Sequence, residues 1–260
     1  MDPALSDSNK LMEWLSRLHP EIPARQTTPE PWMDEYSFPL PEHVATLLRS
    51  RNDPYARLAG MSADEVAQAL RKQVQAAGYP PLSKLADTLF QVGVSHLSLI
   101  RQPSAQLAGS YISFRKGDTG FHLPGGPETP LDAGKHPALK AVPGLREFFE
   151  CFGGMVPGAL PPAPCFASRS RMVTIDPHDP HYEWYDAGGW EGSLVWYWGR
   201  SGDAIIFHPD GTPGVWCHVD CEDGRTWPIG MDFPKLLEEL GSFILEEGDA
   251  ESRPQNLFYH

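Results

Sequence analysis

Cysteine is scarce in this chain, and long apolar runs are absent. Four cysteines are spread over 260 residues, which is too few for a disulfide framework, so we expect reduced thiols. No stretch approaches the roughly 18 consecutive apolar residues that a membrane-spanning helix needs. The opening residues, MDPALSDSNK, contain neither a basic segment nor an apolar one, so no secretory signal is predicted. We therefore expect a cytoplasmic protein that does not interact with a membrane.

Catalytic sequence motifs are absent as well. The chain contains no G-x-S-x-G elbow, no Walker loop, no dinucleotide-binding glycine pattern and no H-E-x-x-H helix. Acidic residues are plentiful, but their spacing does not single out one pair for acid–base catalysis. The sequence therefore predicts a protein that is not an enzyme and needs no cofactor.

Basic residues are rare in the C-terminal third. Residues 174–251 contain 17 Asp and Glu but only three Lys and Arg, a net charge of −14, whereas the whole chain carries −13. An acidic surface repels nucleic acids and anionic lipids and attracts basic proteins. The charge pattern favours a basic protein partner and argues against nucleic acid. Simple solubility is the alternative explanation.

The apolar pattern predicts helices and strands in a mixed order. The clearest helix covers 62–77, where Ser62 and Glu65 form a capping box and Gly78 provides the stop. Further helices are predicted at 9–18, 42–51, 83–91, 144–152 and 232–247. Strands are predicted at 94–100, 110–116, 193–198, 203–208 and 214–219. The proline-rich stretch 20–41 is interpreted as an extended connector, and the stretch 117–143, rich in Gly and Pro, as a loop.

Four segments of the C-terminal half carry a resemblance to a known family. They are Leu145–Phe149 followed by Phe152-Gly153-Gly154, Gly202–Phe207, Gly214-Val215-Trp216, and a final helix with Phe233, Leu236, Leu237 and Leu240. In this order and spacing they resemble the SUKH superfamily of Smi–Knr type proteins. The resemblance covers about residues 140–247 and rests on the order of the segments, since no single motif is specific.

The resemblance implies both a fold and a function. The expected fold is α+β, a twisted and mainly antiparallel sheet flanked by helices, with a helical and proline-rich N-terminal extension at 1–59. The SUKH-like domain is assigned to 60–248 and a tail to 249–260. Most bacterial members are immunity proteins, so the implied function is to bind and neutralise a cognate toxin, such as a nuclease-type effector of type VI secretion in bacterial competition. A regulatory scaffold or adaptor is the alternative within the superfamily.

Histidines and cysteines provide the alternative of a metal-dependent enzyme. Asp176, His178, Asp179 and His181 could bind a divalent ion, but two intervening prolines prevent a usual ligand spacing. In a strand, Cys217 and Cys221 would lie about 13 Å apart, too far for one ion. We therefore predict no metal site and keep a metal enzyme that uses His178 and His181 as the competing hypothesis.

The predicted partner-binding residues are acidic turn residues and two tryptophans. Acidic residues clustered in turns, with few Lys or Arg nearby, fit a basic partner. Aromatic anchors inside a charged rim are typical of binding hot spots. The acidic residues are Asp210, Asp220, Glu222 and Asp223, and the aromatic ones are Trp184 and Trp190. Along 193–198, strand alternation requires that Trp196, Tyr197 and Trp198 do not all face one side.

Overall fold

The computed structural model describes residues 32–90, 96–101, 107–116, 119–125, 130–157, 165–169, 172–175, 189–198, 204–217 and 225–245. Within these ranges the chain forms six α-helices, one short 3-10 helix and two antiparallel sheets of five strands each. This architecture confirms the predicted α+β class. None of the helices in these ranges has both the length and the apolar character needed to cross a bilayer.

The first sheet contains the first five strands in the order of the chain. They are β1 (Trp32–Tyr36), β2 (His96–Arg101), β3 (Leu107–Lys116), β4 (Thr119–Pro124) and β5 (Val156–Pro157), each hydrogen-bonded to the next. The inward residues, such as Leu97, Ile112 and Phe121, are buried. The opposite face of this sheet carries polar side chains, described below.

The second sheet contains the strands from the C-terminal half. They are β6 (Cys165–Phe166), β7 (Leu194–Trp198), β8 (Ala204–Phe207), β9 (Pro213–Cys217) and β10 (Arg225–Pro228), in the order β10-β9-β8-β7-β6. Two backbone bonds link the sheets: the Phe166 amide donates to the Met155 carbonyl at 2.9 Å, and Gly154 donates to Ala167 at 3.0 Å. The two sheets are therefore joined at β5 and β6.

The helices pack on the shared inner face of both sheets. They are α1 (Glu42–Ser50), a 3-10 helix (Pro54–Leu58), α2 (Ala63–Ala76), α3 (Pro80–Leu89), α4 (Ala138–Ala141), α5 (Leu145–Phe152) and α6 (Phe233–Leu245). Their buried residues form one apolar core with the inward residues of both sheets. Phe148 of α5 lies near the centre, with its ring 5.1 Å from Trp196 and 6.2 Å from Phe233.

Local signals in the sequence correctly predict several helix ends. Ser62 and Glu65 make both bonds of the capping box at the start of α2. Gly154, two residues after the last residue of α5, has φ +82°, a conformation that favours glycine. Asp232 caps α6 by accepting a bond from the Lys235 amide at 3.0 Å. Helix α3 begins at Pro80 instead of residue 83, because proline needs no amide partner in the first turn of a helix.

Several segments differ from the prediction. The stretch 117–143, interpreted as a loop, contains β4 and α4, and the connector 20–41 contains β1, which pairs with β2. Strand β10, four residues long and ending in Pro228, was not predicted. In each case the segment is rich in Gly, Pro or charged residues and has a low local propensity for helix or strand. Pairing with a neighbouring strand or packing on the core outweighs this low propensity.

The segment assigned to an N-terminal extension takes part in the common core. Strand β1 pairs with β2, and Val44 and Leu48 of α1 are buried in the same core as the later helices. Tyr55 of the 3-10 helix donates its hydroxyl to the Leu123 carbonyl at 3.0 Å. Residues 32–59 are therefore packed on the assigned SUKH-like domain. The predicted helix at 9–18 and the tail at 249–260 lie outside the described residues.

Candidate partner-binding site

Two of the six predicted partner-binding residues lie in the described part of the chain, and they lie close together. Trp190 precedes β7, and Asp210 is in the turn between β8 and β9. His208 lies between them and contacts both. Trp184, Asp220, Glu222 and Asp223 lie outside the described residues, as do His178 and His181.

The β8–β9 turn has the tight geometry that its Pro-Asp-Gly sequence predicts. The His208 amide donates to the Thr212 carbonyl at 2.9 Å, and the Gly211 amide donates to the His208 carbonyl at 2.8 Å. Gly211 has φ +98°, and a Cβ there would lie 3.2 Å from the Ala141 carbonyl oxygen of α4. The turn is therefore fixed by its own bonds and by close contact with α4.

Asp210 is an exposed carboxylate held in its charged form. Its Oδ1 accepts a bond from the Thr212 amide at 2.8 Å and lies 2.9 Å from His208 Nδ1, while 62% of the side chain remains exposed. The bond from the Thr212 amide, followed by that from His208, lowers the pKa of Asp210 to about 2. The carboxylate is therefore ionised at any pH at which the protein would encounter a partner.

Trp190 is a half-buried aromatic residue that lies on the outer side of the second sheet. Its ring contacts the His208 ring edge-to-face, with the centroids 5.6 Å apart and an interplanar angle of 80°. A Cβ on Gly214 would lie 2.5 Å from Trp190 Cη2 and Cζ3. Only glycine at position 214 therefore lets the indole approach β9 so closely.

Trp190, His208 and Asp210, with the exposed Glu191, form a continuous surface at one end of the second sheet, which we call the Trp190 surface. Sequence reasoning identified Trp190 and Asp210 separately, about 20 residues apart. Both contact His208 because Leu194 pairs with Phe207, and this pairing brings the residues before Leu194 and after Phe207 to the same end of the sheet. No local pattern in the sequence reveals that pairing.

A small apolar cluster continues from the Trp190 surface along the outer face of the second sheet. Val195, Trp198, Ile206 and Trp216 are buried there, and the rings of Trp198 and Trp216 lie 5.6 Å apart. Trp196 and Tyr197 instead belong to the main core, because a register shift occurs between Val195 and Tyr197. Strand β7 thus sends its aromatic residues to two layers, as alternation requires.

The outer face of the first sheet carries a polar ladder that sequence reasoning missed. Ser113 lies at the middle, with its Oγ 2.8 Å from Ser98 Oγ and 2.6 Å from His122 Nδ1, and all three residues are fully buried. On the same face His96 Nε2 lies 2.9 Å from Glu35 Oε1. A serine–histidine contact can activate a nucleophile, but these groups have no exposed surface, so we interpret the ladder as structural. The alternating polar positions of β2, β3 and β4 were the available signal.

A groove of about 540 Å³ lies between α3 and α6. Its charged residues pair with one another: Lys84 lies 2.6 Å from Glu238, and Lys235 lies 2.9 Å from Glu239. Paired, exposed charges on two packed helices are typical of a structural surface, and we assign no ligand to this groove.

Metal chemistry has no candidate within the described ranges, where no three His, Cys, Asp or Glu side chains converge. Cys151 is the one cysteine whose side chain is described, and burial, reinforced by Glu150, raises the pKa of its thiol to about 12.

Comparison with known proteins finds no matching family model, curated protein or solved structure. The SUKH resemblance stays a prediction.

Proposed function

We propose that this chain is a SUKH-like immunity protein that acts in the cytoplasm, where it binds a cognate bacterial toxin and blocks it without catalysing a reaction. The partner in this proposal is a protein with a basic surface, such as a nuclease that must hold nucleic-acid phosphates. An acidic protein speeds its own association with such a surface, and buried aromatic anchors then determine how long the complex lasts.

The packing of the family-like segments supports the proposal. Helix α5, strands β8 and β9 and helix α6 carry the four segments of the resemblance. Helices α5 and α6 and strand β8 meet in one aromatic cluster, and β9 pairs with β8. Phe233 of α6 lies 6.2 Å from Phe148 of α5 and 5.6 Å from Phe207 of β8, measured between ring centroids. Segments that are similar to the family in order are therefore also neighbours in space.

The observation that carries the proposal is the contact of Trp190 with Asp210 through His208. It joins an aromatic anchor to an ionised, exposed carboxylate in the half of the chain that holds all of the excess negative charge. Hot spots commonly combine a large aromatic residue with charges at its rim. An arrangement of this kind suits protein binding better than catalysis, since it lacks a nucleophile with an activating base at an open surface.

The test uses the protein encoded next to this gene. Cells that produce that protein alone should stop growing, and cells that also produce this chain should continue to grow. The purified proteins should form a stoichiometric complex. Replacing Glu222 and Asp223 by Lys should leave folding nearly unchanged, slow association, and reduce its sensitivity to salt.

Two results would contradict the proposal. One is normal growth with the neighbouring protein alone together with no complex in solution, which would favour a scaffold or adaptor with another partner. The other is hydrolysis of a substrate by the purified chain with a divalent metal, lost when His178 and His181 are replaced by Ala. The same two substitutions should leave toxin neutralisation intact if the proposal is correct.

A further inference from the structure

We propose that the Trp190 surface recognises an arginine side chain of the protein partner, stacked on the indole and hydrogen-bonded to the Asp210 carboxylate. The inference rests on the proposed function, because it specifies the chemical group that the binding surface accepts. It concerns Trp190, Ser193, His208 and Asp210, which three separate observations bring together.

The first observation is that the indole is held in place before any partner arrives. Gly214 supports the ring from β9, and His208 contacts it edge-to-face. A fixed aromatic ring loses little conformational entropy on binding, and a cation over its face is attracted by the ring electrons. Trp190 is half-buried, so part of the ring is open to solvent.

The second observation is the state of the carboxylate. Both bonds described above for Asp210 end on Oδ1, and most of the side chain is exposed. Within the described part of the chain, Asp210 pairs with His208 and with no Lys or Arg. Glu191, also exposed, adds a second negative charge next to Trp190. The surface therefore holds negative charge that no Lys or Arg of the described residues pairs with.

The third observation is an unpartnered buried hydroxyl on the strand position opposite His208. Ser193 is fully buried, and its Oγ has no hydrogen-bond partner. Since Leu194 pairs with Phe207, Ser193 lies opposite His208, on the outer face that also carries Val195 and Trp190. Buried hydroxyls normally have a partner, so the unpartnered Oγ of Ser193 is unusual, and the strand register places it at the same end of the sheet as His208.

Arginine matches this set of groups better than lysine does. Its guanidinium is planar, stacks on aromatic faces and carries five N–H donors, whereas a lysine ammonium is a compact and strongly hydrated point charge. One guanidinium can lie on the indole while it donates to Asp210, with further donors directed at neighbouring acceptors. Lysine would satisfy the charge but not the stacking.

The test follows the indole N–H of Trp190 by two-dimensional NMR during titration with short peptides. Trp190→Phe identifies the signal among those of the eight tryptophans. The probes are tetra-arginine, tetra-lysine and tetra-citrulline, all capped at both ends. We expect tetra-arginine to shift the Trp190 signal most, and Asp210→Asn to weaken its binding roughly threefold to tenfold. Gln68→Lys, the same change in net charge on α2, should leave the Trp190 shift almost unchanged.

Neutral tetra-citrulline separates the charge from the shape of the side chain. An equal shift by citrulline and arginine, no shift of the Trp190 signal at millimolar arginine peptide, or an equal effect of Gln68→Lys and Asp210→Asn would each overturn the inference. Growth rescue against the neighbouring protein is scored separately. If rescue succeeds while the peptide experiment fails, the immunity function stands and the arginine site is rejected.

Discussion

The two sheets bury their outer faces by opposite means. The first sheet carries the polar ladder of Ser98, Ser113 and His122, in which hydrogen bonds satisfy buried groups. The second carries the apolar cluster with Trp198 and Trp216, which is buried by packing. Burial of polar groups is tolerated only where partners are in place, whereas burial of apolar groups is favourable in itself.

The difference bears on where the proposed partner would bind. A satisfied polar ladder offers a partner no donor, acceptor or open aromatic surface. The apolar cluster continues to the Trp190 surface, where the packing opens to solvent beside an ionised carboxylate. We therefore interpret the outer face of the first sheet as structural and propose one end of the second sheet as the binding surface.

Removal of a central tryptophan should have the largest effect. Trp198 is only 2% exposed and packs on Trp216, so Trp198→Ala should lower the free energy of unfolding by about 3–5 kcal/mol through lost burial and a cavity. Urea denaturation measures the change. Met33→Ala, at a side chain of β1 that is 38% exposed, is the control and should stay within about 0.5 kcal/mol of wild type. Equal effects would mean that the outer cluster contributes little to stability.

Removal of the middle hydroxyl of the ladder should cost less. Ser113→Ala removes one hydrogen-bond partner from each of the buried side chains of Ser98 and His122. We therefore expect the free energy of unfolding to fall by about 1–3 kcal/mol. Ser98→Ala removes one of these contacts and should cost less. The double variant should lose less free energy of unfolding than the two single variants lose together, because the two hydroxyls bond to each other. Simple additivity would show that the two hydroxyls are not coupled.

A methyl group under Trp190 should detach the binding surface from its sheet. Gly214→Ala places a Cβ 2.5 Å from the indole, so the ring must move, at a cost of about 1–3 kcal/mol. Gly230→Ala is the matched control, since its Cβ would meet nothing within 4 Å. Thermal unfolding and the NMR signal of the Trp190 indole should change for Gly214→Ala alone. An unmoved indole signal would contradict the assigned contact.

The smallest expected effect is the loss of the stabilising contribution of Asp210 at acid pH. Because the folded pKa of Asp210 is lowered to about 2, below the ordinary value of about 3.9, its stabilising contribution is present above pH 4 and lost as the pH falls toward 2. The difference in stability between wild type and Asp210→Asn should therefore shrink between pH 5 and pH 2. The midpoints of urea unfolding at pH 5, 3 and 2 measure this difference. A difference that stays constant over this range would contradict the lowered pKa of Asp210.

Strong local signals made part of the fold predictable. The capping box and apolar period predicted α2, and the aromatic and β-branched runs predicted β7, β8 and β9. Strands β1, β4 and β10 were not predicted from the sequence, because charge, glycine or proline weakens their local preference for strand. Their pairing partners are separate segments of the chain. Pairing across a sheet is not encoded in any short stretch.

The candidate site was predictable in its components but not in its arrangement. Charge and residue type singled out Asp210 and Trp190 in the sequence. The role of His208 between them, and the orphan hydroxyl of Ser193, depend on the register of β7 and β8. The Ser113–His122 contact likewise depends on the pairing of β3 with β4.

The central claim is that an acidic surface around Trp190 and Asp210 guides this protein to a basic partner. Stopped-flow association with the protein encoded next to this gene, at low and moderate salt, tests it most directly. We predict that Asp210→Asn associates more slowly than wild type at low salt and that the difference narrows as salt rises. Gln68→Lys, with the same change in net charge, should associate nearly as fast as wild type. Equal rates for wild type and Asp210→Asn at both salt concentrations would contradict the claim.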